Sequence, residues 1–157
     1  MTARLLMDPN PIRIQDSDTI GIAARKIMRR RYRSLPVVDD QRIFLGVFKV
    51  NRMLGLILPE HCTHQSIVAA AEAHADLTLD DLRDNLEAIT QQPVTLCIEK
   101  EVVSVSPETS LIETLLTMYH HKRNLPVVDE ASGRLEGMIS YYDIGEKILQ
   151  GGFNLAE

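Results

Sequence analysis

Apolar residues fall at Ile20, Ala23, Ala24, Ile27 and Met28, the i, i+3, i+4, i+7, i+8 spacing of one helical face. Leu111, Leu115, Met118 and Tyr119 repeat that face in the second half of the chain, and both stretches are predicted as helices. Each follows a short run carrying β-branched residues, Ile12-Arg-Ile14 and Val102-Val-Ser-Val105, read as strands. Residues 16–19 and 106–109 supply helix-start chemistry, short polar caps with Pro107 suited to a first turn. Beyond each helix, a Val-Val pair behind a proline reads as a buried strand, ended by the polar turns at 39–42 and 129–133. A second strand at 43–48 or 135–139 returns antiparallel, and a last helix closes the unit. The order β-α-β-β-α therefore occurs twice.

The two occurrences are copies. Leu-Pro-Val-Val-Asp stands at 35–39 and again at 125–129, and Met28 and Arg33 match Met118 and Arg123 at the same offset of 90. Further out the offset becomes 91: Ile12 and Ile14 match Val103 and Val105, Gly46 matches Gly137, and Ile57-Leu58 matches Ile148-Leu149. The chain divides into one unit at 5–58 and another at 97–150, separated by 38 residues at 59–96. A 54-residue unit buries too little apolar surface to stand comfortably alone. The two are expected to pack their sheets about a pseudo-two-fold axis, an α/β (α+β) fold. Apolar faces left over make a homodimer plausible.

The middle segment is no third copy. Residues 66–75 are Ala-rich and helical in propensity. Residues 78–90 read as a second helix with Thr78 as cap, Asp81 at the capping-box position, and Leu79, Leu82, Leu86 and Ile89 on one face. It is read as a helical insertion packing on the pair or on a partner.

Composition narrows the function. The 157 residues are 45% hydrophobic and 25% charged, ordinary globular usage rather than that of a disordered chain. The longest apolar runs are short, such as 54–58, and the first residues lack a signal peptide's apolar stretch, so a cytoplasmic protein is expected. Cys62 and Cys97 make no disulfide framework. A net charge of −5, 4% aromatic residues and no Trp argue against a nucleic-acid binder.

Two clusters read blandly. Arg25-Lys-Ile-Met-Arg-Arg-Arg-Tyr-Arg33 has six basic residues in nine, the exposed side and end of a helix where cations suit the dipole, or a surface for an acidic partner. His61-Cys-Thr-His64, with His74, matches no familiar zinc spacing, and His120-His121 reads as surface, so no metal is expected. No nucleophile elbow, P-loop, paired catalytic carboxylates or Cys-x-x-Cys occurs, in keeping with a binding module rather than an enzyme.

The paired units, each with Leu-Pro-Val-Val-Asp, the second followed by Gly137-Met-Ile-Ser140-Tyr-Tyr-Asp143, resemble a tandem cystathionine-β-synthase (CBS) domain pair, or Bateman module. The resemblance covers about 108 of 157 residues; the middle segment is longer than the family's usual linker. It implies a regulatory module that binds an adenosine compound (AMP, ADP, ATP or S-adenosylmethionine) in a cleft between repeats and signals to an effector protein, with no cofactor. In the family's terms Asp143 would accept hydrogen bonds from both ribose hydroxyls, being an acceptor-only group. Ser140 would face ribose or phosphate at a helix start, and Arg123 would contact phosphate. Val103 and Ile139 would supply apolar walls for adenine.

The competing reading of Ser140 and Asp143 is a plain helix cap. The first repeat departs from the pattern, with Lys49 where Ser140 stands and Arg52 where Asp143 stands. Neither accepts hydrogen bonds. That site is read as vestigial, or else Lys49, Arg52 and Arg33 reach phosphates from the second. The functional alternative is a ligand-free structural or dimerisation module whose helical insertion binds a partner protein.

Overall fold

The computed structural model describes residues 1–30 and 32–150. Six strands and six α-helices are found among them, in an α/β arrangement of two repeats. The first repeat holds β1 (Ile14–Gln15), α1 (Ile20–Arg30), β2 (Ser34–Val38), β3 (Phe44–Lys49) and α2 (Val50–Ile57). The insertion supplies α3 (Ile67–Ala73) and α4 (Leu79–Ile89). The second repeat adds β4 (Ile98–Glu99), α5 (Leu111–His121), β5 (Leu125–Val128), β6 (Leu135–Ile139) and α6 (Tyr141–Leu149). The sheets run β1-β2-β3-β4 and β5-β6. No helix among the described residues is long and apolar enough to cross a membrane.

The chain forms two compact units that are not its two halves. One comprises Met1–Arg13, Val38–Phe44 and Glu101–Glu157; the other comprises Ile14–Val37 and Leu45–Lys100. The lead-in of each repeat is thus built into the unit of the other. Asp8 exchanges both backbone hydrogen bonds with Met138, 2.8 and 3.0 Å, while Ile98 and Glu99 pair with Phe48 and Val47. Asp8 and Glu99 stand 91 positions apart, the same offset that separates Gly46 from Gly137.

That pairing gives the repeated glycine its reason. A Cβ on Gly137 would lie 2.5 Å from the Asp8 carbonyl oxygen, and one on Gly46 would lie 2.4 Å from that of Glu99. Gly46 also has φ +146°, a conformation side chains rarely adopt. β4 escaped the sequence reading because two residues carry no periodicity. Of the expected first strands, only Ile14 lies in a strand, and Val105 makes a single parallel bridge to Val127.

In the unit Ile14–Val37 with Leu45–Lys100, α1 buries Ile20, Ala23 and Ile27. Gly21 meets the Thr90 carbonyl, and its N–H donates to that oxygen at 2.9 Å. α4 lies against α1 and α2, and Asn85 donates its side-chain amide to the Ile57 carbonyl, 2.9 Å, so the insertion packs on the first repeat. Thr78 and Asp81 form the expected capping box. The two Thr78 hydrogen bonds hold the Asp81 carboxyl below its ordinary pKa. Leu79, placed on the apolar face, is 78% exposed; Leu82, Leu86 and Ile89 are half-buried.

In the other unit, Ala3, Leu6, Val105, Met118, Leu125, Val127 and Ile139 form the core cluster. Arg42, from the turn between β2 and β3, donates to the Leu135 carbonyl at 2.7 Å and the Pro9 carbonyl at 2.9 Å. α5 begins after Ser110, which caps it, rather than at 106–109. There Thr109 Oγ1 accepts from the Ser106 N–H and closes a local turn, 3.0 Å.

Both paired helices bury a narrower stripe than their spacing predicts. Met28 and Tyr119, each eight residues into its stripe, are 56% and 72% exposed. Ala23 and Thr114, three residues beyond the helix start, are fully buried, so the stripe is turned toward i+3 and i+7. Thr114 satisfies its hydroxyl by donating to the Ser110 carbonyl, 2.8 Å.

Candidate ligand site

The site candidates Ser140, Asp143, Arg123, Val103 and Ile139 all belong to the unit that contains β5 and β6. The hairpin register pairs Leu125 with Ile139, so Arg123, two residues before Leu125, and Ser140, directly after Ile139, lie at the same end of it. Two features bring the chain there. Lys122 adopts the left-handed conformation (φ 53°) and ends α5, its N–H donating to the Met118 carbonyl at 2.8 Å. Tyr141 then donates its hydroxyl to the same carbonyl, 2.9 Å, tying the start of α6 to the end of α5. The sequence reading missed this tie at the candidate site, because a half-exposed tyrosine in a helix's first turn announces no such bond.

Ser140 sits in extended backbone as the N-cap of α6, and the capping box is complete. Its Oγ accepts from the Asp143 N–H, 3.1 Å, while its own N–H and hydroxyl both donate to Asp143 Oδ2, 2.6 Å each. The cap reading of these residues therefore describes real bonds. Both bonds to the carboxylate use Oδ2 and leave Oδ1 outside the cap. A carboxylate has about four acceptor positions, so the cap does not exhaust Asp143.

Val103 is partly buried against the core cluster, of which fully buried Ile139 is a member. Arg123 is half-buried. The cations of the first repeat lie in the other unit. Lys49 is the N-cap of α2 and makes no side-chain cap bond; its ammonium pairs with the Glu99 carboxylate. Arg33 and Arg52 are exposed. Burial pushes the Cys97 thiol above its ordinary pKa, and the nearby Arg52 charge opposes that rise. His61 is paired with Glu60, and among the described residues no three His, Cys, Asp or Glu side chains are placed to share a metal ion.

Comparison with known proteins agrees with this architecture. The CBS domain model matches residues 3–58 and again 89–149. The chain belongs to the CBS domain family, as a tandem pair. No curated protein matches the sequence. Among solved structures, MJ1004 from Methanocaldococcus jannaschii superposes with a TM-score of 0.69 at 20% identity, over 96% of this chain and 60% of that one. CBSX2 from Arabidopsis thaliana superposes with a TM-score of 0.71 at 21% identity, over 95% of this chain and 94% of that one. A second CBSX2 structure, in complex with AMP, gives a TM-score of 0.67 at 22% identity over 95% and 96%. At such identities the likeness is one of fold.

Proposed function

We propose that this CBS pair is a regulatory, non-catalytic module that binds an adenosine nucleotide at the start of α6 and signals to an effector protein. The observation that carries the reading is the half-used carboxylate of Asp143, with Oδ2 in the cap and Oδ1 outside it. Asp143 would take the ribose hydroxyls, Ser140 and the helix start would face ribose or phosphate, and Arg123 would contact phosphate. Val103 would flank adenine. Fully buried Ile139 would offer its backbone, since its side chain is core. The AMP complex of CBSX2, a protein of the same fold, supports the ligand class. Regulation requires that ligand prefer one conformation of the module, because equal affinity for both shifts nothing.

The first repeat supports a single competent site. Lys49 is already engaged by Glu99, which favours a vestigial role over phosphate contact for Lys49, Arg52 and Arg33. Titration calorimetry with AMP, ADP, ATP and S-adenosylmethionine tests the proposal. At least one should bind, Asp143→Ala should weaken it more than tenfold, and Arg52→Ala should leave it unchanged. Equal affinity in the wild type and Asp143→Ala would sink the site.

One observation favours the second reading, a ligand-free module whose insertion binds a protein: the capping box holds the side chains of both Ser140 and Asp143 without any ligand. Thermal shift separates the two. A ligand at 100 times its dissociation constant stabilises by about 2.7 kcal/mol, and no shift with any adenosine compound favours the second reading.

A further inference from the structure

We propose that the outward side of α1, with the residues just beyond it, is a docking surface for an anionic phospholipid bilayer. The inference does not depend on nucleotide binding. No acid occurs from Thr19 to Val38, and residues 25–33 contain five arginines and one lysine. That stretch carries +6 in a chain whose net charge is −5, so the remainder is strongly acidic. An anionic surface attracts the chain by this stretch and repels the remainder, which fixes the side that approaches.

The cations share one surface with apolar side chains. α1 buries Ile20, Ala23 and Ile27, and its opposite side, with Ile22, Arg25 and Arg29 at i, i+3 and i+7, is exposed. Met28, one turn on from Arg25, is 56% exposed, and Tyr32, just past the helix, is 44% exposed. Arg30 and Arg33 are exposed as well. Lys26 is held by Asp18 at 3.1 Å, so arginines make up the outward charge. Because its inner side is packed in the unit, the helix is preformed and binding need not order it.

The residue types select lipid among anionic partners. Guanidinium groups match phosphate oxygens bidentately. Exposed apolar side chains among them gain nothing from a sugar-phosphate backbone. They suit the boundary between headgroups and acyl chains, where tyrosine is also favoured. A nucleic-acid reader uses amide and hydroxyl side chains at base edges, and residues 20–33 include no Asn, Gln, Ser or Thr.

The test is co-sedimentation of the full chain with vesicles. It should bind vesicles of phosphatidylglycerol and phosphatidylcholine and not phosphatidylcholine alone. Binding should fall about tenfold or more between about 50 mM and about 500 mM salt. Arg29→Glu with Arg30→Glu should weaken it about tenfold or more, and Arg29→Gln with Arg30→Gln by less. The glutamine pair keeps the test open should the charge reversal fail to fold. Met28→Ser with Tyr32→Ser should weaken binding several-fold and leave its salt dependence in place. Lys147→Glu, at an exposed cation of α6, should leave binding unchanged. The proposal is overturned if the chain ignores anionic vesicles, binds neutral ones equally, or loses as much to Lys147→Glu as to the arginine variants. It is overturned too if Met28→Ser with Tyr32→Ser binds like wild type. Displacement from the vesicles by duplex DNA or polyglutamate at equal charge would also overturn it, giving the face to a nucleic acid or an acidic protein.

Discussion

Lys49 and Ser140 occupy the same place in two copies of one unit, at the junction of the second strand with the last helix, each directly before that helix. At Ser140 the helix start is closed by a reciprocal box that recruits Asp143. At Lys49 no side chain caps the helix, the Val50 N–H donates to the Arg33 carbonyl at 3.1 Å, and the lysine turns to Glu99. The strands and glycines leading to both points are shared by the copies, so the scaffold tolerates either kind of residue at the helix start. Two residues decide whether that start offers acceptors or cations. Fold and site chemistry are therefore separable in this chain, and the copies serve as each other's control.

The largest expected effect strikes the glycines that the copies share. Gly46→Ala and Gly137→Ala each drive a Cβ into backbone carbonyl oxygen and should each cost about 2 kcal/mol or more. Gly46→Ala should cost more, because its φ of +146° adds backbone strain. Urea unfolding midpoints measure both, and equal losses would deny the asymmetry.

Next come the residues that differ. Lys49→Met removes the ammonium paired with the partly buried Glu99 carboxylate and should cost about 1 kcal/mol. Ser140→Ala removes the N-cap acceptor at a similar cost of about 1 kcal/mol. Only the serine variant should also weaken nucleotide binding, as calorimetry would show.

The smallest effect is pH-dependent. Hydrogen bonds from Ser132 hold the Asp129 carboxyl below its ordinary pKa, as those from Thr78 do for Asp81. Both lowered values favour the fold above the unfolded pKa of about 4, and that contribution fades as the pH falls through the native value. The β5–β6 turn and the start of α4 should loosen first on acidification, visible as faster amide exchange there below about pH 4.

Much of this was legible in the residues. The β-α-β-β-α order, the antiparallel second strands and both helices of the insertion come from spacing and caps that act locally. The Thr78–Asp81 box needs nothing beyond four adjacent residues. The exchange of lead-ins was not legible, because Asp8 and Glu99 are placed by backbone pairing that leaves no pattern in side chains. The repeated glycine was its one trace, readable only once the neighbour was known. The exposure of Met28 was hidden for another reason. The sequence match pairs it with buried Met118 at an offset of 90, whereas the helices start 91 residues apart. Met118 therefore takes the place of buried Ile27, and Met28 that of exposed Tyr119. At the site, the motif located Ser140 and Asp143, while the bonds that divide Asp143 between its oxygens depend on rotamers that no sequence displays.

The exchanged lead-ins also set an order of assembly. Asp8 leaves the ribosome some 130 residues before its partner Met138. Ile98 and Glu99, by contrast, meet a strand already made. The unit bearing the proposed ligand site therefore closes last during synthesis, by a loop spanning most of the chain, and such distant pairings are slow to form. A circular permutant that joins the ends and opens the 59–66 segment would bring Asp8 close to Met138 in sequence and should fold that unit faster.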